Sequence, residues 1–536
     1  MTTTMKTIAR YIALFGLVFG LAACDSMLDT APEGATKTES QKQDAFSKNP
    51  STSAADISAM YAQMIQLFAG LGEDDLERHY DFGYASMCIM RDCMGQDYVR
   101  PNIGYNWFAS AGEYSDRVYT SQEMRMHWRE YYKIIRAANA VIGGIDSTAT
   151  DATLRANLGQ ARAVRAFCYL EMAQLYQFTY SDATKNLPCV PIVTEQLTSE
   201  QSENNPRATV QQVYDLVLRD LNYSVSALAG FNRADKGYVN QAVALGLRAR
   251  ANLALKNWAA AASDADSALI VSGASIYTRE EVSKPTFCSA GASSVLWANI
   301  LTESSDVVSS GIVNWQGHVS SFYTQGYTSV GAYSSISSTL YAKISDTDVR
   351  KGWWLNEQKT SPLLDNAAYS WWKETAAGDG MEYVNVKWGL ANDNSTSMTA
   401  AADWILMRAE EMLLIKAEGL ARSGDEAGAR AALAQLTAER DPQYRQTESN
   451  LLDEIWFQRR IELWGEGFAF FDILRLEKPI NRKSTNLATS NWPAAWQYTI
   501  QPNDPVLLFL IPSVEIEANQ GISNSDNNKQ VATPSV

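Results

Sequence analysis

The segment that most constrains the fold is residues 160–178, QARAVRAFCYLEMAQLYQF, because its apolar side chains cover two faces of a predicted helix. One face holds Val164, Cys168, Met172 and Leu175, and the other holds Ala163, Ala166, Phe167, Leu170 and Ala173. A helix that is apolar over so wide an arc must pack against neighbours on both sides. Its small residues let the backbones of those neighbours approach closely. The segment therefore predicts a stack of helices.

Other helical segments come in pairs along the chain. Residues 127–145 precede 160–178, residues 209–228 precede 240–258, and 256–270 begins a further helix. Residues 404–436 read as a helix, a Ser-Gly-Asp turn and a second helix, which is typical of tetratricopeptide units with a repeat of about 34 residues. We therefore predict a mainly α fold in which tetratricopeptide-like helix-turn-helix repeats form a right-handed superhelical scaffold over about 120–282 and 400–475.

A segment of different composition separates the helical blocks. Residues 283–400 are rich in Ser, Gly, Asn, Tyr and Trp, and hold seven of the fifteen tryptophans. The segment has few helical periods and several possible short strands, such as MEYVNVKW at 381–388. It is predicted to be a large, irregular, loop-rich insertion that binds ligand.

The N-terminus has the features of an export signal. Lys6 and Arg10 precede an apolar run from residue 11 to residue 22, which is shorter than the roughly 20 residues of a membrane-spanning helix. The run ends in Leu-Ala-Ala-Cys, which resembles a bacterial lipobox, so Cys24 is the predicted lipidation site. Residues 1–23 are then a signal peptide, 24–50 a lipidated, flexible tether, and 51–536 a single domain.

Charge and motif content exclude several classes of function. The chain has 60 acidic and 45 basic side chains, and such a surface repels nucleic-acid phosphates. It contains no GxSxG, GxxxxGK[ST], GxGxxG or HExxH motif, and its only histidines are His79, His127 and His318. Residues 346–357 match a calcium loop at three positions, but Arg350 and Lys351 occupy a ligand position and the glycine position. We predict a protein without catalytic residues, metal or cofactor, although its many carboxylates leave a glycosidase open.

The positive functional signal is a mixture of aromatic and polar residues in segment 91–108. Its candidate ligand-binding residues are Asp92, Gln96, Asp97, Arg100, Asn102, Tyr105 and Trp107. Aromatic rings stack on the C–H faces of sugars, while amides, carboxylates and guanidinium groups hydrogen-bond the hydroxyls. The alternative is that Tyr105 and Trp107 only cover helix ends.

The insertion adds further aromatic candidates. These are Trp315, Tyr323, Tyr327, Trp353, Trp354, Trp371 and Trp372. Each ring taken alone is expected to pack in the core, but at least two of the group are predicted to be exposed as a binding platform.

Two other patterns are interpreted as structural. In segment 455–475, Arg459 and Glu462, and likewise Asp472 and Arg475, are helical i, i+3 neighbours, which predicts ion pairs rather than a substrate site. Beyond Cys24 the chain has five cysteines, and buried thiols are favoured over a disulfide because a helical i, i+5 pair such as Cys88 and Cys93 points apart.

The chain resembles SusD/RagB-type outer-membrane lipoproteins of Bacteroidota. The resemblance is carried, in order, by the lipobox, PRATVQQVY (206–214), DTDVRKGWW (346–354), LMRAEEMLLIKAEGLARSGD (406–425), QRRIELWGEGFAFFDILR (458–475) and LFLIPSVEIEANQG (508–521). It implies a non-enzymatic protein, anchored in the outer membrane and facing outward. Such a protein captures an oligosaccharide and delivers it to a SusC-like TonB-dependent transporter.

Three other functions remain open at this point. The resemblance also covers RagB-like members that capture peptides. A surface glycosidase and a tetratricopeptide adaptor that binds only protein are the remaining alternatives.

Overall fold

The computed structural model of the chain describes residues 39–66, 78–394 and 399–536. The predicted signal peptide, Cys24 and the first part of the predicted tether lie outside the described residues. Within those ranges no helix is both long and apolar enough to cross a bilayer.

The fold is mainly α, as the sequence predicts. The longer helices are α1 (Glu39–Lys48), α2 (Ala54–Ala62), α3 (Tyr84–Met94), α4 (Gln122–Gly143), α5 (Ala152–Tyr176), α6 (Val210–Ala227), α7 (Gln241–Ala254), α8 (Trp258–Ser272), α9 (Ala409–Arg422), α10 (Glu426–Arg440), α11 (Leu451–Glu462) and α12 (Ala469–Arg475). Shorter helices lie at Ala109–Glu113, Ser199–Ser202, Asp306–Ser309, Trp315–Val319, Ser338–Tyr341, Lys373–Ala376 and Ser513–Ala518.

The scaffold is a series of helices in which each packs on the next. Helix α5 contacts α4 and α6, α6 contacts α7, α7 contacts α8, α8 contacts α9, and α9 contacts α10. Both apolar faces of α5 are buried, as shown by Val164, Cys168 and Phe167 at 1% exposure or less. Where α8 and α9 cross, a Cβ on Gly419 would lie 2.5 Å from Trp258 O, so only glycine permits the approach. The stacking of helices is confirmed, while the right-handed superhelix stays a prediction.

Helix starts follow local sequence signals. The Ser121 and Asp151 side chains accept hydrogen bonds from backbone amides in the first turns of α4 and α5. Thr209 and Gln212 form a reciprocal capping box at the start of α6. These side chains satisfy amide groups that would otherwise lack acceptors, which fixes where each helix begins.

The predicted tether is wrong for residues 39–48. These residues form α1, in which the Phe46 side chain is only 6% exposed and the Gln43 amide donates to Gly143 O at 2.8 Å. Lys42 also pairs with Asp56 at 2.8 Å. One buried ring and two polar contacts hold this polar helix on the scaffold, and a single buried apolar residue leaves no periodic pattern in the sequence.

Three short antiparallel sheets complete the fold. They pair β1 (Tyr98–Val99) with β3 (Ser335–Ile336), β2 (Val295–Asn299) with β4 (Trp404–Arg408), and β5 (Ile480–Asn481) with β6 (Thr499–Ile500). The pair β2 and β4 closes the base of the insertion, because the two strands flank residues 300–403. The predicted strand at 381–388 is wrong: it makes only isolated bridges, since Tyr383 has a left-handed backbone with φ of 65° that interrupts the extended run.

A buried ion network joins the insertion to the C-terminal helices. Glu462 accepts hydrogen bonds from Arg350, Arg408 and Arg440 at 2.9 to 3.2 Å. Burial opposes ionisation of Glu462, yet the three guanidinium groups hold the pKa of its carboxyl well below the ordinary value. Glu462 therefore stays ionised, and its negative charge is shared by the three arginines. Each arginine comes from a different part of the chain.

The two predicted i, i+3 ion pairs have different outcomes. Arg475 and Asp472 do pair, at 2.8 Å. The prediction for Arg459 is wrong, because this guanidinium lies 2.8 Å from Asp472, while Glu462 faces the network. Both interactions remain structural, as the sequence indicated.

The cysteines agree with the prediction of free thiols. Cys88, Cys93, Cys168 and Cys189 are buried, Cys288 is partly buried, and none of these five forms a disulfide. Burial raises the pKa of Cys88 to about 12, so the thiol stays protonated and unreactive.

Candidate functional site

Three of the polar candidates in segment 91–108 serve the fold. Asp92 is fully buried and accepts hydrogen bonds from Gly467 N at 2.7 Å and Ala469 N at 3.3 Å. Gln96 accepts from Asn481 N at 2.8 Å, and Asp97 is 3% exposed. Burial raises the pKa of Asp92 to about 7. Their assignment as ligand-binding residues is corrected, because their polar atoms face protein groups rather than solvent.

Most aromatic candidates in the insertion are also core residues. Exposure is 2% or less for Trp315, Tyr323, Trp353, Trp354 and Trp372, and 6% for Tyr327. Trp315 Nε1 donates to Ala402 O at 2.8 Å, and Trp353 Nε1 donates to Val282 O at 3.1 Å. An insertion with few long helices fills its own core with large rings. Of the predicted platform, only Trp371 is exposed, at 37%.

The remaining exposed candidates lie on one patch of three neighbouring segments, 101–107, 327–333 and 369–372. We call this patch the aromatic ridge and define it as Ile103, Tyr105, Trp107, Val330, Tyr333 and Trp371. Tyr105 is 54% exposed, Val330 48% and Ile103 37%, while Trp107 and Tyr333 are partly buried. Asn102 is exposed beside them. Large apolar side chains held in water on adjacent loops are typical of a binding surface.

Segment 327–333 contacts each of the other two segments. A Cβ built on Gly331 would lie 3.8 Å from Ile103 Cδ1, which places the two loop tips side by side. The rings of Tyr333 and Trp372 have centroids 6.3 Å apart. The turn before Tyr333 needs a glycine, because Gly331 has a φ of 92°.

The buried side chain of Arg100 joins segments 101–107 and 327–333 through hydrogen bonds. Its guanidinium is 2% exposed and donates to Asn106 Oδ1 at 2.9 Å, His318 O at 2.8 Å and Ala332 O at 3.0 Å. It also donates to Ser334 Oγ at 3.0 Å. The candidate Arg100 is therefore a positioning residue rather than a ligand contact.

A layer of stacked rings supports Trp107. The His79 ring lies parallel to Trp107, with centroids 4.5 Å apart, and Tyr327 stacks on His318 at 4.4 Å. Burial lowers the pKa of His318 well below its ordinary value, so the ring is neutral, and its Nε2–H donates to His79 O at 2.6 Å. Among the described residues, the buried Trp107 Nε1 has no acceptor. These stacked rings give the ridge a rigid base.

The ridge suits a neutral ligand with both apolar and hydroxyl faces. Exposed ring faces at Tyr105 and Trp371 can stack on C–H groups, and the Asn102 amide and Tyr105 hydroxyl can hydrogen-bond hydroxyls. In the described part of the chain no cluster of His, Cys, Asp and Glu is arranged to hold a metal.

The sequence interpretation missed Ile103, Val330 and Tyr333. Ile103 lies inside the predicted segment, between Pro101 and Gly104, and was passed over because it is not aromatic or polar. Val330 and Tyr333 flank Gly331 in a Ser/Gly/Tyr-rich turn, and that glycine was the available signal for an exposed loop tip.

Comparison with known families gives two matches, one in each half of the chain. A model of the SusD family matches residues 316–528. A SusD-like model described as "Starch-binding associating with outer membrane" matches residues 40–253. SusD-like protein P38 of Formosa agariphila is 25% identical over 391 residues, which cover 66% of this chain and 73% of that protein.

Solved structures share the fold. A SusD-like carbohydrate binding protein from Bacteroides vulgatus superimposes with a TM-score of 0.70 at 23% identity, covering 89% of this chain and 98% of that one. A SusD superfamily protein from Bacteroides thetaiotaomicron gives a TM-score of 0.68 at 20% identity, covering 89% of this chain and 99% of that one. The likeness extends over almost the whole length of both relatives.

Proposed function

Since the chain belongs to the SusD family, we propose that it binds an oligosaccharide at the cell surface and delivers it to a SusC-like TonB-dependent transporter. Cys24 would carry the lipid that anchors it in the outer membrane, with the helical body facing outward. The family description of an association with the outer membrane supports this location.

The observation that carries the proposal is the aromatic ridge. Tyr105 and Trp371 are exposed, and four hydrogen bonds from Arg100 hold the loop of Tyr105 against the segments that contain His318 and Tyr333. A preorganised surface loses little entropy when a ligand binds. Flat aromatic faces without a charged cluster favour a neutral sugar over an anionic ligand.

The absence of a catalytic role is also part of the proposal. Glycoside hydrolysis needs two carboxyl groups on either side of the scissile bond. Asp92 accepts from two backbone amides and Asp97 pairs with Arg460, so neither carboxyl in the segment below the ridge is available to a substrate.

Affinity electrophoresis of the protein lacking residues 1–23, in gels containing different polysaccharides, tests the proposal. We expect at least one neutral polysaccharide to retard the protein, and the double variant Tyr105→Ala/Trp371→Ala to be retarded less than wild type. Ile270→Ala is the matched control, because Ile270 is 74% exposed on α8, outside the ridge.

Two further readouts separate the alternatives. Release of reducing sugar from a retarding polysaccharide would contradict a purely binding role. If no polysaccharide retards the protein but peptides bind to it, a peptide-capturing function replaces the proposal.

A further inference from the structure

A wide cleft lies in the insertion, apart from the ridge. It has a volume of about 750 Å³, within the range of roughly 300–1,000 Å³ typical of ligand pockets. Its wall is formed mainly by residues 341–363, with Arg279, Tyr383 and Gln443 from other segments. None of the residues that define the ridge lines it.

The aromatic residues that line the cleft are Tyr341, Tyr383 and the buried Trp354. The rings of Tyr341 and Tyr383 meet edge to face, with centroids 5.1 Å apart. Lys351 Nζ lies 5.2 Å from the centroid of Tyr341, and Tyr383 OH donates to Glu357 Oε1 at 3.1 Å. Both rings are thus fixed by neighbours that also line the cleft.

The backbone of Tyr383 is strained. Its φ of 65° lies in the left-handed region, which a bulky side chain rarely adopts. Hydrogen bonds on both sides hold it there, from Tyr383 N to Leu355 O at 3.1 Å and from Ile336 N to Tyr383 O at 3.0 Å. Strain of this kind persists where the surroundings impose it and is frequent at ligand sites. The conformation puts an aromatic ring on the wall at a position that glycine would occupy more easily.

Of the three carboxylates that line the cleft, Asp346 and Asp348 are paired with cations, and Glu357 accepts from the Tyr383 hydroxyl. Lys351 binds Asp346 at 2.5 Å, and the guanidinium of Arg350 binds Asp348 at 2.6 Å. Arg279 donates to the carbonyl oxygens of Arg440 and Thr347 at 2.5 and 3.2 Å. These pairs also explain why the calcium-like pattern at 346–357 is not a metal loop, since its first two carboxylates face cations of the same segment.

The wall also includes polar, uncharged side chains. The side chains of Asn356, Gln358, Thr360 and Gln443 line it. Gln358 and Gln443 are exposed, so their amides are open to a ligand. Amides that both donate and accept suit the hydroxyl groups of a sugar.

We infer that this cleft is a second binding site for a neutral oligosaccharide, independent of the ridge, with Tyr341 and Tyr383 stacking on the sugar and Gln358 and Gln443 hydrogen-bonding it. The choice of a saccharide rests on the proposed function. Two sites on one tethered protein raise the effective concentration of a long glycan at each.

Isothermal titration calorimetry with maltoheptaose, cellohexaose, laminarihexaose, xylohexaose and mannohexaose tests this inference. The proteins are wild type, Tyr383→Gly, the ridge variant Tyr105→Ala/Trp371→Ala, and the combined variant. For a saccharide that binds, wild type should show two sites, each single-region variant one, and the combined variant none. Tyr383→Gly suits this test because glycine accepts the left-handed backbone.

Each outcome decides one of the two proposals. If the ridge variant removes all binding and Tyr383→Gly keeps wild-type stoichiometry and affinity, the cleft is not a site and the proposed function stands. If Tyr383→Gly weakens binding at least tenfold and the ridge variant does not, the cleft stands and the ridge is wrong. If wild type binds none of the five saccharides, both proposals are overturned.

A second variant tests the cleft independently, in case Tyr383→Gly does not fold. Gln358→Ala/Gln443→Ala removes two exposed amides, and we expect binding in the cleft to weaken at least threefold with an unchanged melting temperature. Gln520→Ala, an exposed glutamine outside the cleft, is the control and should bind as wild type. Wild-type affinity in the Gln358→Ala/Gln443→Ala variant would contradict the assigned role of these amides.

Discussion

Asp97 and Arg460 are separated by 363 residues in the chain and form a two-pronged ion pair, with Arg460 Nε and Nη2 donating to the two carboxylate oxygens at 2.7 and 2.6 Å. The side chains are 5% and 12% exposed. Asp97 immediately precedes β1, and its carbonyl also accepts from Trp464 Nε1 at 2.8 Å. The pair therefore ties the segment that carries the ridge to α11.

We expect Arg460→Ala to lower the free energy of unfolding by about 3 kcal/mol, because it leaves a nearly buried carboxylate without its cation. Urea unfolding followed by tryptophan fluorescence measures the loss. Arg430→Ala is the control, since Arg430 pairs with Glu426 on the exposed face of α10, where such a pair contributes only about 0.5 kcal/mol. Equal losses in the two variants would contradict a structural role for the buried pair.

Two tryptophans of the insertion should respond oppositely to truncation. Trp353 is fully buried, so Trp353→Ala is expected to cost about 3–5 kcal/mol of stability through the cavity it creates. Trp371 is 37% exposed, so Trp371→Ala should change stability by less than about 1 kcal/mol while weakening glycan binding. Thermal unfolding and affinity electrophoresis of both variants check this contrast. A large stability loss for Trp371→Ala would place that ring with the core.

Protonation of Glu418 should account for part of the stability that the protein loses at low pH. Burial opposes ionisation of this carboxyl, but Arg475 binds both of its oxygens at 2.7 Å and Arg422 binds one, and together they lower its pKa to about 2. A depressed folded-state pKa contributes stability above the ordinary value near 4.5, and this contribution is lost as the pH falls towards 2. Between pH 5 and pH 3 wild type should therefore lose about 2 kcal/mol more than Glu418→Gln.

Urea titrations at the two pH values measure this difference. Glu426→Gln is the control, because it removes a carboxylate from an exposed ion pair rather than a buried one. The same loss in wild type and Glu418→Gln would show that Glu418 titrates normally in the folded chain.

Cys24→Ala is expected to abolish lipidation and release the protein from the membrane. Cys24 ends the lipobox-like sequence Leu-Ala-Ala-Cys, and a lipid on this cysteine is the proposed anchor. Cell fractionation with immunodetection, and metabolic labelling with a fatty acid, measure the change. Cys88→Ser affects a buried thiol of the body and should leave localisation unchanged. Membrane retention of Cys24→Ala would refute the lipid anchor.

Local periodicity was sufficient to predict the scaffold, because the apolar positions of a helix such as α5 show which of its faces must be buried against other helices. Helix α1 was missed for the same reason: it has one buried ring and otherwise polar side chains, so it depends on contacts with α2 and α4 that a local pattern does not encode. The strand predicted at 381–388 failed at a single residue, Tyr383, whose left-handed backbone is imposed by Leu355 and Ile336.

The candidate site was predictable in position but not residue by residue. Segment 91–108 does carry the ridge, yet Asp97 is held by a residue 363 positions away, which no spacing indicates. Similarly, Ser- and Gly-rich surroundings suggested exposed tryptophans, whereas Trp353 and Trp354 fill the core of the insertion. Burial depends on long-range packing, so composition separated the region from the scaffold without showing which rings face solvent.

Gly467 allows a test of how closely α12 must approach α3. It has a φ of 87°, and a Cβ there would lie 2.6 Å from Cys88 Cβ and 2.9 Å from Cys88 Cα. Its amide also donates to Asp92 at 2.7 Å, so any shift breaks that buried hydrogen bond. Gly467→Ala should therefore cost at least about 3 kcal/mol, combining left-handed strain, overpacking and the lost bond.

Gly424→Ala measures only the free-energy cost of placing alanine in a left-handed backbone conformation. Gly424 has a similar φ of 90°, but no atom lies within 4 Å of the added Cβ. The substitution should cost about 1–2 kcal/mol in the same urea titration. The difference between the two variants then measures the clash and the broken hydrogen bond alone. Equal costs would mean that α3 can move away from Gly467 without penalty, and that Asp92 does not hold this junction.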